Sequence, residues 1–430
     1  MTPPLRLLLV GAGNRGSTYT GYAARTGRAV VAAVCEPDPE RAARARAAHP
    51  DAEILTDWRP LAQRRKFADA VVITTQDADH VDPAVAFAGL GYHILLEKPM
   101  ATTEDDVLRI IDAVERAGVM LAVCHVLRYT PYTRALKRIV DSGRLGEVVS
   151  VEHLEPVGWW HQAHSYVRGN WRREADATPM LLAKSSHDLD WLSHIVGRPV
   201  LRVSSFGGLK HFRAEQRPEG ATDRCPDCPI EASCPYSAKR LYVGCLGDPD
   251  RERWPLSVVT PARTEDGVIE ALRTSPYGRC VYACDNDVVD HQVVNLEYEG
   301  GATASFTMTA FTEYAQRKTR IFGTHGQLEG DGVQVTLTDF RTGAKELLTL
   351  GLEGADAGTG HGGGDERLVD AFLDALATGD PHRILSDPRT SLESHLVAWA
   401  AERARHGHTV EPIRSRFPVG APAAPAAPTP

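Results

Sequence analysis

The run Val10-Gly11-Ala12-Gly13-Asn14-Arg15-Gly16 constrains this chain more than any other segment, because it leaves an apolar β-rich stretch and opens a helical one. Gly11 permits a tight turn, Gly13 lets a diphosphate approach the backbone, and Gly16 lets a helix pack closely on the strand. The N–H groups of the helix N-terminus then face the anion. By itself the pattern is weak, but here the context is the required one. Glu36 ends the second β-rich stretch twenty residues after Gly16. A carboxylate there accepts hydrogen bonds from the adenosine ribose and repels a 2′-phosphate, which favours NAD over NADP. Arg41 is the nearby cation that would suit NADP.

The glycine loop starts an alternation. Residues 7–10, 30–35, 70–74, 93–96 and 120–123 are short apolar runs, and 39–48, 83–90 and 104–117 between them carry helical patterns. Near-continuous apolar strands separated by helices predict a parallel sheet covered on both faces. After a helix at 132–142 the pattern changes. Stretches 147–155, 201–209, 292–299, 303–310, 317–322 and 334–339 read as strands joined by glycine-containing turns, with helices at 182–195, 366–377 and 390–405. That predicts a mostly antiparallel open sheet. A chain of 430 residues is too long for one ordinary core. The fold class is therefore α/β: an N-terminal Rossmann dinucleotide-binding domain over 1–125, then an α+β second domain over 126–415. The second domain holds a Cys- and Pro-rich insertion at 210–279, which looks core-poor, and 416–430 reads as a disordered Ala/Pro tail.

A formal net charge of -8 argues against nucleic acid and anionic membranes as partners. No stretch approaches the roughly 20 apolar residues of a membrane span. Residues 1–6 run straight into a strand with no signal-peptide pattern, so a cytoplasmic home is expected. Of the eight cysteines, Cys35 and Cys124 stand alone and six fall between Cys225 and Cys284. Cys225, Cys228 and Cys234 form C-x₂-C-x₅-C, a spacing that suits tetrahedral zinc. Cys280 is the first choice for a fourth ligand, ahead of Cys284 and Cys245. The Cys234-Pro235 ending also suits an iron–sulfur cluster, and free thiols or a disulfide are the other readings.

Two further groups of residues carry chemistry. Glu97-Lys98-Pro99 follows the strand at 93–96, at the strand ends where ligands of parallel sheets bind. Trp159, Trp160, His161 and His164 lead into Arg168 and Trp171, a mix of aromatic faces and hydrogen-bonding groups that suits a sugar pocket. His361 sits in a glycine-rich loop, Gly360 to Asp365, and is a further candidate contact to substrate.

The chain resembles the Gfo/Idh/MocA family of sugar and inositol oxidoreductases. The resemblance rests on the glycine loop, Thr74-Thr75 with His80, the run from Gly91 to Pro99, Arg128, His187 with Asp190, and the stretch Gly323 to Glu329. It implies NAD as cofactor, held by Gly11, Gly13, Asn14, Arg15, Gly16, Glu36, Thr75, His80, Glu97, Lys98, Pro99 and Arg128. It also implies a carbohydrate or cyclitol substrate, a homodimer or homotetramer, and hydride transfer with Lys98 and His187 at the reacting carbon. Asp190 would then contact substrate. One departure stands out: the family's helix carries an aspartate four residues before the histidine, and here that position is Ala183. Residues four apart share a helix face, so His187 loses its carboxylate partner, and Lys184 is the candidate replacement in the site. The missing aspartate keeps two alternatives open. One is an NAD-dependent glycosidase using transient ring oxidation and elimination, and the other is a non-catalytic NAD-sensing regulatory protein.

Overall fold

The computed structural model describes residues 3–350 and 361–416. Six parallel strands build the first sheet: β1 (Leu5–Val10), β2 (Ala29–Cys35), β3 (Glu53–Leu55), β4 (Ala70–Ile73), β5 (His93–Leu96) and β6 (Leu121–Val123), in the order β3-β2-β1-β4-β5-β6. β4, Ala-Val-Val-Ile, is buried at every position, as a central strand covered on both faces requires. The chain order reverses between β1 and β4, which opens a crevice above their carboxyl ends. Local signals set the covering helices. Asp38 and Thr103 cap Pro39–Ala48 and Glu104–Ala117 by accepting from Arg41 N–H and Asp106 N–H, and Gly118 ends the second of these helices in the left-handed region, at φ 63°.

The second sheet has nine strands: β7 (Val148–Pro156), β8 (Val200–Gly208), β9 (His291–Tyr298), β10 (Thr303–Thr309), β11 (Lys318–Gly323), β12 (Gly326–Gly330), β13 (Gln334–Asp339), β14 (Lys345–Thr349) and β15 (Val410–Pro412). Their order is β14-β13-β12-β11-β7-β10-β9-β8-β15. Among the described residues β7 and β10 pair in parallel, and the other neighbours in this sheet are antiparallel. Alternation sets the faces: Ala304, Phe306 and Met308 of β10 are buried, and they pack in one core with Leu189, Trp191 and Leu192 of the helix Ser186–Val196.

The closing helices do not stay with the second sheet. Leu368, Phe372 and Leu373 of Gly364–Thr378 pack in one cluster with Leu7, Leu9 and Val72 of the parallel sheet. Pro388–Gly407 gives Leu392 and Leu396 to the other face of that sheet, and Val397, Ala400 and Ala401 to the antiparallel core. A helix apolar on several sides belongs between layers, so the chain returns to its N-terminal sheet and ties the two sheets together.

The insertion differs from its core-poor expectation. Ala238, Tyr242, Leu256, Val268 and Leu272, with Cys225 and Cys245, form a small core of their own. A bridge between Arg224 and Arg279 closes its base. The tail expected at 416–430 lies outside the described residues except for Arg416.

Candidate active site between the two sheets

The glycine loop lies over the crevice between β1 and β4. Gly11 has φ 92°, and a Cβ there would sit 2.7 Å from Thr74 O. A Cβ on Gly16 would meet Gly11 O at 2.3 Å, whereas one on Gly13 would have nothing within 4 Å. The first two glycines are thus demanded by packing, and the third leaves open space beside the start of the helix Asn14–Arg25, which no side chain caps. Glu36, 3% exposed, accepts from Ala12 N–H (2.7 Å) and Asp38 N–H (3.0 Å), which holds its carboxylate against the loop. Thr75 Oγ1 is buried without a protein partner. Open space, uncapped N–H groups, a carboxylate at the end of β2 and an orphaned hydroxyl suit a dinucleotide. Glu36→Ala is expected to weaken NAD binding and to lower the NADP-to-NAD ratio of Kd values about tenfold, read by titrating both.

Four residues expected on the cofactor serve the frame instead. Arg15 gives its Nε to Glu97 (3.0 Å) and both terminal nitrogens to Asp365, so its guanidinium is already paired with two carboxylates. Glu97 also accepts from Tyr19 OH (2.8 Å) and Lys98 N–H (2.7 Å). Burial pushes its carboxyl pKa up, but Arg15 and Lys98 outweigh that and leave it low. His80 places Nδ1 2.8 Å from Pro99 O and Nε2 3.3 Å from Thr75 O, joining the loops after β4 and β5. Arg128 makes a two-pronged pair with Asp190 (2.6 and 2.7 Å) and donates to Leu385 O (2.6 Å). The expected substrate contact Asp190 is therefore occupied too. A buried guanidinium must be paired, and that need decides these placements.

Lys98 reaches across from the end of β5 and donates through Nζ to Ala183 O (2.6 Å), in the segment just before the helix of His187. Burial lowers its pKa, with Glu97 and Asp77 pulling the other way. His187 is 6% exposed, and its Nδ1 has no protein partner. Burial, followed by the charge of Lys98, holds it well below the usual histidine pKa. Its ring lies 5.9 Å from those of His125 and His361.

Lys184 is not a loose cation. Its Nζ lies 3.0 Å from Glu155, whose other oxygen is 2.9 Å from Arg317. Arg317 in turn pairs with Asp188 (2.6 Å), and Asp188 with His153 (3.1 Å). Sequence reasoning missed Glu155, Asp188, Arg317, Asp77 and His125. The available signal was a carboxylate, Glu155, in an otherwise inward-facing position of a strand.

The aromatic wall divides in two. The His161 ring sits 5.1 to 5.8 Å from Trp254, Tyr314, Tyr166 and Trp160, and Trp171 Nε1 donates to Asp77 (3.3 Å) across the two sheets. Arg168, expected at the substrate, bonds into the insertion, and His164 bridges the two parts, with its ring 5.6 Å from Trp254. His164 Nδ1 lies 2.8 Å from Tyr242 OH, and its ring stacks on Tyr277. Arg168 donates to Arg279 O, Tyr236 O (2.8 Å each) and Cys225 Sγ (3.5 Å). Residues four apart share one helix face, and here that face meets the insertion. Trp254, from the insertion, Tyr166 and Tyr314 are the wall residues that sequence reasoning missed.

Cys225, Cys228, Cys234 and Cys280 line one cavity together with Arg168. All eight cysteines are free thiols. Zinc at its usual bond length needs sulfurs about 3.8 Å apart. Among the described residues no three cysteine sulfurs lie within 4.8 Å of one another; the trio that does meet that spacing is Glu174, Glu402 and His406. Arg405 already pairs with Glu402 in that trio (2.5 Å).

The buried histidines predict acid sensitivity. Burial pushes His164 and His395 down to about 3 and His125 and His161 well below the ordinary value. In the unfolded chain each titrates near about 6.5, so below that pH the unfolded state binds protons that the folded state refuses. Stability is then lost as pH falls, by about 1.4 kcal/mol per pH unit for each histidine. Thermal unfolding followed downward from neutral pH should show Tm falling well before carboxylates begin to protonate.

Comparison with known proteins agrees with this geometry. A model described as the oxidoreductase family, NAD-binding Rossmann fold, matches residues 5–125, and that family's C-terminal alpha/beta domain matches 137–411. The chain is 24% identical over 270 residues to the putative oxidoreductase YteT of Bacillus subtilis (strain 168), covering 61% of this chain and 60% of that protein. It is 31% identical over 228 residues to inositol 2-dehydrogenase 4 of Saccharopolyspora erythraea, covering 51% and 61%. The matches thus span about three fifths of these relatives' length. Levoglucosan dehydrogenase in complex with NADH superposes with a TM-score of 0.69 at 18% identity, over 96% of this chain and all of that one.

Proposed function

The chain belongs to the Gfo/Idh/MocA oxidoreductase family, and on that premise we propose that it is an NAD-dependent dehydrogenase acting on a CH–OH group of a sugar, sugar-acid or cyclitol ring. One observation carries the proposal: Lys98, at the carboxyl end of β5, bonds to Ala183 O in the segment before the helix of His187, and its charge acts on that histidine. Nicotinamide, when bound, supplies the two-electron acceptor. Lys98 stabilises the developing alkoxide, and His187 takes the hydroxyl proton. Gly11, Gly13, Gly16, Glu36 and Thr75 hold the dinucleotide, while Arg15, His80, Glu97, Pro99 and Arg128 shape the floor beneath it. Lys184, fixed by Glu155, and Trp160, His161 and Trp171 face the ring, with His361 beside His187. Similarity to proteins named inositol 2-dehydrogenase and levoglucosan dehydrogenase supports the substrate class.

The test incubates the protein with NAD and a panel of sugars, sugar acids and cyclitols, following the reduced-nicotinamide absorbance. Glycosides run in parallel. NADH formation supports the proposal; glycoside cleavage without NADH replaces it with transient oxidation and elimination, which the absent carboxylate at Ala183 favours.

Two smaller proposals accompany this one. Exposed Val149, Leu201, Phe206, Leu347 and Val410 on the second sheet suit pairing of copies into a dimer or tetramer. The four cysteines around Arg168 suit a structural metal once their sulfurs close in, and elemental analysis showing neither zinc nor iron would remove that idea. Among the described residues no helix is long and apolar enough to cross a membrane.

A further inference from the structure

His361 stands at φ 48°, in the left-handed region that residues with a β-carbon rarely adopt. Gly362 and Gly363 follow at φ 61° and 78°, so three successive left-handed residues lead into the helix Gly364–Thr378. This turn folds the imidazole back onto the helix's own first turn, with Nδ1 3.1 and 3.3 Å from the two oxygens of Asp365. Asp365 is 1% exposed and gripped by both terminal nitrogens of Arg15. Burial works against its charge, but Arg15 and His361 outweigh that and keep it ionised.

An ionised carboxylate only accepts hydrogen bonds. Nδ1 of His361 therefore carries the proton, and Nε2 is left as the acceptor. His187, 5.9 Å away ring to ring, is arranged in the opposite way. No carboxylate orients it, its Nδ1 is orphaned, and the charge of Lys98 opposes an imidazolium there. Burial lowers the pKa of His361 as well, but Asp365 pulls the other way. A proton on His187 would be a buried, unpaired charge, whereas one on His361 is paired with Asp365. The other charged groups facing His361 are Arg15 and Arg317, and both are already paired, with Asp365 and with Asp188 and Glu155.

We propose that His361 takes the substrate proton on from His187 and that Asp365 is its positioning carboxylate, restoring from another helix what Ala183 removes. The proposal rests on the dehydrogenase reading. The hydroxyl O–H bond breaks and its electron pair becomes the second C–O bond, while the C–H pair leaves to the nicotinamide. The proton passes from His187 to His361 Nε2, through one water across the gap between the rings, and then to solvent.

The test has two arms. Nitrogen NMR of ring-labelled protein with NAD as the probe should show His361 protonated on Nδ1; a neutral ring protonated on Nε2 instead, or a mixture of the two neutral forms, overturns the proposal. For any polyol that the panel shows to be oxidised, His361→Asn and His361→Gln should lower kcat about 100-fold with KM little changed. Added imidazole buffer should restore part of that loss. Unchanged kcat, or a loss that buffer does not relieve, assigns His361 a structural role and sinks the idea. Failure of the dehydrogenase reading is separate, because it shows in the unmutated protein as no NADH from any member of the panel.

Discussion

Lys98→Met is expected to cut turnover by about 10²- to 10³-fold while leaving NAD affinity within a few-fold. The amine does two things that methionine cannot. In the proposed reaction it places a positive charge where an alkoxide would develop, and it satisfies Ala183 O at 2.6 Å. Preorganised charge in a water-excluded site is worth several kcal/mol of transition-state stabilisation. The orphaned carbonyl costs about 1–3 kcal/mol of stability on top of that, so the variant should also melt earlier. Kinetics separates the roles. A fall in kcat at steady KM for NAD fits a charge at the reacting carbon, and an equal fall in NAD affinity would make Lys98 a cofactor anchor.

Arg128→Met is expected to destabilise the fold by about 3–5 kcal/mol, the cost of leaving one member of a buried pair uncompensated. Asp190 is then a carboxylate without its two-pronged partner, in a setting of 0% exposure. Replacing both partners with apolar residues, as in Arg128→Met with Asp190→Leu, should recover a substantial part of the loss. Denaturant unfolding of the two single variants and the double variant measures the coupling. Because the pair ties the segment Val126–Tyr129 to the helix of His187, NAD affinity per folded molecule should hardly change. A large loss of NAD binding with full stability would restore the expectation that Arg128 touches the cofactor.

These two residues show where the sequence was legible. The Rossmann half could be read because its constraints are local: Gly11 and Gly16 are forced by atoms 2.3 to 2.7 Å away, and β4 is apolar throughout. Lys98 stands out in the sequence because it follows a strand end, and His187 because of the family resemblance; the structure puts the charge of Lys98 within reach of His187. What could not be read is which polar groups spend themselves on one another. Arg15 and Asp365 are 350 positions apart, and Arg128 and Leu385 are 257 apart. No periodicity in the chain announces such pairs. The same applies to Trp254, since an insertion's return to the cleft is a tertiary event. Arg168 misled because its residue type suits a sugar as well as it suits a structural pocket, and only its place in the fold decides between the two.

The central claim is that a dinucleotide lies on the glycine loop with Glu36 at its ribose and Lys98 at its reactive end. Calorimetric titration of NAD, and separately NADP, into the purified protein tests it most directly. The account predicts one saturable NAD site per chain, tighter than for NADP, with the preference abolished in Glu36→Ala and the site retained in Lys98→Met. No saturable binding of either dinucleotide would contradict it.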